Sequence, residues 1–116
     1  MRTIVLCLAI VFCLASHALA RDQDGVFQVF GGGYSSCGRM TEDVKKSREG
    51  VAIYREWING YVTATNYFLL GKGNYFEGYD QIAAYKFVLK YCEDNPLDRV
   101  LSGVHKLLLH YNVPLP

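Results

Sequence analysis

Recognisable catalytic and metal-binding motifs are absent from this sequence of 116 residues. It holds no HExxH zinc motif, no phosphate-binding loop and no Gly-x-Ser-x-Gly turn. His105 and His110 are the only histidines beyond the first twenty residues, and their spacing puts them ~140° apart around a helix. No Ser-His-Asp arrangement suggests itself, and the spacing of Glu56, Glu77 and Asp80 does not indicate a glycosidase. We expect a protein that is not an enzyme and has no cofactor or metal.

A large excess of charge of one sign is also missing. The chain has 12 Lys and Arg residues against 11 Asp and Glu residues. Without Arg2, which falls in a predicted signal peptide, 11 of each remain and the net charge is near zero. Binding to nucleic acid or to an anionic membrane surface depends on clustered positive charge. The composition therefore argues against both.

A signal peptide is predicted at residues 1–20. Arg2 precedes an unbroken apolar run at 4–15, and Ala18-Leu19-Ala20 supplies a small-x-small cleavage site. The run is shorter than the ~20 residues that span a bilayer, so a membrane anchor is the weaker alternative. We expect export to the periplasm or the medium, with residues 21–116 forming a single domain.

Cysteine is scarce once the predicted signal is removed. Cys7 and Cys13 leave with it, so Cys37 and Cys92 remain. In an exported domain two cysteines indicate one disulfide with one connectivity, which should stabilise the fold by about 4 kcal/mol. A metal site is the weaker alternative, because there is no CxxC and no histidine pair nearby.

The stretch before Cys37 is rich in glycine. The apolar, β-prone run at 26–30 predicts an extended segment laid against the domain. Gly31-Gly32-Gly33 follows it, and no Lys-Ser/Thr pair comes next. We therefore predict a flexible connector there rather than a phosphate-binding loop.

The first two of four predicted helices come next. Thr41 is a predicted N-cap, with Glu42 and Asp43 suited to the first turn. Gly50 is predicted to end that helix or to lie in a loop before the next one. A second helix is predicted at about 51–70. Its predicted buried face comprises Val51, Tyr54, Ile58, Tyr61, Val62, Thr65, Phe68 and Leu69.

Two further helices complete a mostly α fold. Asp80 is predicted to cap the third helix at about 81–92, with Ile82, Tyr85, Val88, Leu89 and Cys92 on its inner face. Asn95 is predicted to cap the fourth helix and Pro96 to begin it. Its predicted apolar stripe comprises Leu97, Val100, Leu101, Val104, Leu107 and Leu108, and Asn112 and Pro114 are predicted to end the helix.

A polar stripe along the second helix is the candidate partner-binding surface. Its residues occur at offsets 0, 3, 7 and 10, and Lys72 in the following loop is added to it. A solvated face opposite the core is the alternative interpretation. The four helical members are Glu56, Asn59, Thr63 and Asn66.

Small residues form a second row on the same helix. Gly60 and Ala64 lie four positions apart, which places them on one side. We predict that another helix crosses closely at Gly60. Trp57 and the nine tyrosines suit both interfaces and core packing, and their spacing favours the core first.

Several of these motifs together resemble a known family. A cysteine before the first helix leads to "REWINGYVTATN", then to a glycine-rich loop with an Asp-capped helix, and then to "YCEDNPLD", which opens an apolar last helix. This order resembles the HdeA/HdeB acid-stress chaperones and their uncharacterised relatives, over roughly 37–109. The most specific matches are Trp57, Gly60-Tyr61, Asn66, Tyr91-Cys92 and Asn95-Pro96.

The resemblance implies a compact four-helix HdeA-like domain in which Cys37 pairs with Cys92. It also implies a small periplasmic protein, dimeric in that family, which loosens in acid, exposes apolar surface and holds unfolding clients in solution. We therefore expect a non-enzymatic protein-binding role, with stress chaperoning first. The alternative is an inhibitor or immunity protein that binds a periplasmic or secreted enzyme.

Overall fold

Four α-helices dominate the computed structural model, which describes residues 28–115. They are α1 (Cys37–Lys46), α2 (Arg48–Phe68), α3 (Gln81–Asp94) and α4 (Val100–His110), preceded by a 3-10 turn at Gly31–Tyr34. No β-strand occurs within this described range. The predicted mostly α fold of four helices is confirmed. The predicted signal peptide and residues 21–27 lie outside the described residues.

The predicted Cys37–Cys92 disulfide is confirmed. Cys37 is the first residue of α1 rather than a residue before it, and Cys92 lies in the last turn of α3. Their Cα atoms are 4.5 Å apart, and both side chains are fully buried. The two cysteines lie 55 residues apart in sequence, and their bond joins α1 to α3 within the buried core.

The first helix begins earlier than predicted. The Ser36 hydroxyl caps α1 by accepting a hydrogen bond of 3.2 Å from the Arg39 N–H. The predicted N-cap, Thr41, lies inside the helix, where its hydroxyl donates to the Gly38 carbonyl at 2.9 Å. Ser36 is the cap because it directly precedes Cys37, the first residue of the helix, whereas Thr41 lies a full turn inside it.

Gly50 neither ends a helix nor lies in a loop, contrary to the prediction. It is the third residue of α2, whose N-cap is Ser47; the Ser47 hydroxyl accepts from the Gly50 N–H at 3.0 Å. A Cβ atom at Gly50 would overlap the Asp43 carbonyl. Glycine therefore lets the end of α1 and the start of α2 meet closely.

One core lies between the four helices. The Asp80 cap of α3 is confirmed, since its carboxylate accepts from the backbone N–H groups of Ile82 and Ala83 at 2.7 and 3.0 Å. Ile82 and Phe68, both predicted to be buried, are 55% and 76% exposed. The buried apolar residues are Cys37, Met40, Tyr54, Ile58, Val62, Ala84, Tyr85, Val88, Cys92, Val100, Val104, Leu107, Leu108 and Val113.

The fourth helix begins at Val100, four residues later than predicted. Asn95 instead follows the end of α3, where its amide donates to the Tyr91 carbonyl at 2.9 Å. Leu97, placed on the buried stripe by the prediction, is 97% exposed. The segment before α4 is held elsewhere: the Pro96 and Asp98 carbonyls accept from the N–H groups at 38 and 37, at 2.9 and 2.7 Å. These long-range bonds replace the helical turn that the local sequence favoured.

The three consecutive glycines at 31–33 pack against the side chain of Trp57 and do not form a flexible connector. Gly32 and Gly33 are buried, and a Cβ atom at Gly33 would overlap the six-membered ring of Trp57. The indole N–H donates to the Phe30 carbonyl at 2.8 Å. Glycine is required here because the backbone lies directly against the indole.

The prediction for Gly60 is wrong within the described chain. A Cβ atom at Gly60 would meet no atom within 4 Å, so no helix of residues 28–115 crosses there. Position 60 lies on the side of α2 opposite Tyr54, Ile58 and Val62, which face the core.

Alanine at Gly33 and at Gly60 should have opposite effects. Gly33→Ala should destabilise the fold by about 1–3 kcal/mol, because the methyl group overlaps a ring that is packed in place. Gly60→Ala should stabilise it by about 0.5–1 kcal/mol, because the site is open and alanine favours a helix. Urea unfolding followed by circular dichroism measures both, and equal effects of the two substitutions would contradict the assigned roles.

Candidate protein-binding surface

The structure places the predicted polar stripe on one side of α2. Glu56, Thr63 and Asn66 are exposed, Asn59 is half-buried, and Lys72 lies exposed in the turn after the helix. Thr63 donates to the carbonyl of residue 59 at 2.7 Å, and Glu56 pairs with Arg55 at 3.0 Å. The exposed members are therefore a solvated edge whose contacts stay within α2.

Asn59 has a structural task that the sequence did not reveal. Its side-chain carbonyl accepts from the Tyr79 hydroxyl at 2.8 Å, and its amide donates to the Gln81 side chain at 3.1 Å. Both partners lie at the junction between the glycine-rich loop and α3. Asn59 therefore fastens that loop to α2, and its amide is already occupied.

An aromatic cluster packs beneath this anchor. Tyr79, Phe76 and Tyr111 lie with ring centroids 5.5–6.0 Å apart. Burial, with smaller contributions from Tyr111 and Asp80, raises the pKa of Tyr79 to about 12. Tyr79 therefore stays un-ionised and donates to Asn59 throughout the physiological range.

Three large apolar side chains lie exposed at the end of α2. Tyr67, Phe68 and Leu70 are 72%, 76% and 80% exposed, and the rings of Tyr67 and Phe68 meet edge to face at 5.7 Å. We call these three residues the apolar tip. Helical spacing assigned Phe68 to the core and so hid the feature. The signal was "NYFLL", because adjacent aromatic residues cannot both face one core.

The two histidines do not converge. His105 is half-buried, and its Nε2 lies 3.2 Å from the Tyr61 hydroxyl, whereas exposed His110 stacks near Phe87 at 5.7 Å. Burial lowers the pKa of His105. A neutral ring can accept the Tyr61 proton at Nε2, so the contact joins α4 to α2 as long as His105 stays neutral.

A carboxylate lies at the junction of α1 and α2. Asp43 accepts from the Arg39 guanidinium at 2.9 and 3.0 Å and from the Tyr54 hydroxyl at 3.0 Å. The hydrogen bond from Arg39 is the main cause that lowers the pKa of Asp43. An open cleft of about 320 Å³ borders these groups. The Asp43 carboxylate in this cleft is therefore already paired, and Lys46 and Glu49 also line the cleft.

The described residues offer no assembled site for a metal. Within residues 28–115, no three His, Cys, Asp or Glu side chains come together as metal ligands. In the same range no helix is long and apolar enough to cross a bilayer.

Searches against models of protein families, curated proteins and solved structures return no match to this chain.

Asn59→Ala should destabilise the fold. It leaves the Tyr79 hydroxyl and the Gln81 side chain without their partner, and a loss of about 1–2 kcal/mol is expected. Asn66→Ala, an exposed neighbour on α2, should stay within about 0.5 kcal/mol of the parent. Chemical denaturation measures both, and equal stability of the two variants would show that Asn59 carries no structural load.

His105 should make the fold less stable as the pH falls. Because burial lowers its pKa in the folded state, the unfolded chain takes up the proton first, and stability declines below about pH 6.5. His105→Gln, which keeps an acceptor for Tyr61, should flatten this decline between about pH 7.5 and pH 5. His110→Gln is the matched control. Unfolding free energies across this range test the prediction, and an unchanged slope in His105→Gln would contradict it.

Proposed function

We propose that this chain is a non-enzymatic protein-binding domain of the periplasm or the medium that holds unfolding clients under acid stress. The apolar tip is the observation that carries the proposal. Its three exposed side chains offer on the order of 400 Å² of surface, because each aromatic residue alone carries ~150–250 Å². Apolar patches of this size on soluble domains are often interaction sites.

The charge balance supports a response to acid. Protonation of the 11 carboxylates and of His105 and His110 would leave about +13 on the chain without its predicted signal. Self-repulsion would then loosen the packing, and loss of the Asp43 carboxylate would release Arg39 and Tyr54 at the junction of α1 and α2. The Cys37–Cys92 bond would limit the expansion. The resemblance to the HdeA/HdeB chaperones points the same way.

Inhibition of a partner enzyme is the second proposal. It is favoured by the solvated edge of Glu56, Thr63 and Asn66, which gives an exposed polar surface that leads to the apolar tip along α2. An inhibitor binds one enzyme tightly at neutral pH, whereas a client-holding protein protects several unrelated proteins in acid. An assay of protection against aggregation in acid therefore separates the two functions.

The test compares the disulfide-bonded chain with a variant of the apolar tip. The parent should suppress aggregation of several unrelated acid-unfolded proteins at about pH 2–3, where carboxylates are protonated. Tyr67→Ser, Phe68→Ser and Leu70→Ser together should raise the amount needed by roughly tenfold or more, because burial of each large apolar side chain stabilises a complex by ~1.5–3 kcal/mol.

Leu97→Ser is the matched control, because Leu97 is 97% exposed and lies in the segment between α3 and α4 rather than at the end of α2. It should protect as the parent does. Absence of protection by the parent would overturn the chaperone proposal, and full protection by the triple variant would show that clients bind elsewhere.

A further inference from the structure

The apolar tip lies at the end of α2 that is remote from its contact with the start of α3. Asn59 is hydrogen-bonded to Gln81, the first residue of α3, and nine more residues of α2 follow Asn59, a length of ~14 Å. Tyr67 and Phe68 are the last two of these residues and are 72% and 76% exposed. Side chains in a groove are not exposed to this extent, so the tip is a convex end of the helix.

Backbone hydrogen bonds hold the apolar tip in this shape. Leu69 follows α2 and packs half-buried against the core, while the residues on either side of it are exposed. The Leu70 N–H donates to the Tyr67 carbonyl at 3.2 Å, and the Lys72 N–H donates to the Leu69 carbonyl at 2.9 Å. Gly71 lies between them with a φ of 79°, which glycine adopts without strain. The exposed apolar side chains therefore belong to a hydrogen-bonded helix end.

The sequence around the apolar tip carries charge of one sign. Between Glu56 and Glu77 the only charged residue is Lys72, which is exposed in the turn after α2. Lys72 forms no ion pair with any residue that the structure describes. A free ammonium group two residues from exposed Leu70 is complementary to a surface that presents anionic groups above an apolar layer.

A phospholipid bilayer has this arrangement of chemistry. Tyrosine is enriched where the acyl chains meet the headgroups, and lysine near a helix end extends its ammonium group to the headgroup level. A convex tip can enter a fluid lipid layer without a shaped pocket to receive it. The near-zero net charge of the chain argues against binding by charge alone, so the apolar side chains must supply most of the affinity.

We propose that the apolar tip inserts into the headgroup region of an anionic phospholipid bilayer, with the Lys72 ammonium group at the lipid phosphates. The domain then lies on the membrane surface and does not span it. A single myristoyl chain gives a binding constant of only ~10⁴ M⁻¹, and three side chains at the headgroup level bury less apolar surface than such a chain. Binding is therefore reversible and half-complete at ~0.1 mM lipid or above.

Co-sedimentation with vesicles at pH 7 tests the proposal. The disulfide-bonded chain is used without residues 1–20, because their apolar run would confound the measurement. The parent should bind vesicles that contain phosphatidylglycerol. Tyr67→Ser, Phe68→Ser and Leu70→Ser together should weaken binding at least tenfold, because the apolar surface is lost. Leu97→Ser, at a leucine that is 97% exposed between α3 and α4, should bind as the parent does.

Charge reversal tests the role of Lys72. Lys72→Glu should weaken binding to vesicles with phosphatidylglycerol about fivefold or more, and should change binding to phosphatidylcholine alone by less than about twofold. Lys45→Glu changes the net charge equally at an exposed position of α1. The 21 residues of α2, ~30 Å long, separate it from the tip, a distance beyond the ~10 Å screening length at 0.1 M salt. This control should bind within about twofold of the parent.

A tryptophan placed in the apolar tip reports where the chain meets the lipid. Phe68→Trp should shift its fluorescence emission to shorter wavelength when vesicles are added, because the new indole leaves water. Leu97→Trp should show no such shift. Trp57 contributes the same background to both variants.

Absence of binding by the parent at millimolar lipid would overturn the proposal and leave the apolar tip to protein partners. Unchanged binding of the triple variant, or an equal emission shift in Leu97→Trp, would overturn the assigned surface. Equal binding of Lys72→Glu and Lys45→Glu would overturn the role of the ammonium group. Circular dichroism checks that every variant is folded. None of these measurements contains a client protein, so their outcome is independent of the client-holding function.

Discussion

The Cys37–Cys92 disulfide is the constraint around which the rest of the domain is arranged. It fixes the first turn of α1 to the last turn of α3, and both sulfur-bearing side chains are fully buried. The chain that leads into α4 runs past the same point, where its carbonyls at 96 and 98 accept from the first N–H groups of α1. Three of the four helices therefore have an end at one place. Because a single covalent bond fixes these helix ends, the buried side chains of the small core pack around it.

The sequence predicted the architecture well where local chemistry decides it. The disulfide, the Asp80 cap and most of the inner faces of α2 and α3, apart from Phe68 and Ile82, follow from cysteine number, capping chemistry and helical period. The start of α4 could not be predicted in that way. Asn95-Pro96 is a good local helix start, but backbone groups far away in sequence claim the carbonyls of 96 and 98. The local sequence pattern does not show these long-range hydrogen bonds, so it could not predict that they replace the first turn of the helix.

Glycine was the least predictable residue. Gly60 was expected to be covered, but none of residues 28–115 covers it, whereas Gly33 was expected to be free and lies against Trp57. A glycine has no side chain whose character shows whether it faces the core, so its role depends on what lies opposite.

The candidate surface was partly predictable for the same kind of reason. Exposed residues such as Thr63 and Asn66 follow from helical spacing, while the task of Asn59 depends on Tyr79 and Gln81, which only the fold brings near.

The packing of Trp57 makes its indole a local reporter of structure. It is the single tryptophan of the chain. Its N–H donates to the Phe30 carbonyl, the buried glycines pack against it, and the ring centroid of Tyr61 lies 5.4 Å from that of the indole. Detachment of the segment before α1 would hydrate this indole and leave the helices in place. Fluorescence emission therefore reports that local event, and circular dichroism reports the helices. A difference between the two transitions would separate a partial opening of this edge from the unfolding of the whole domain, without any added label.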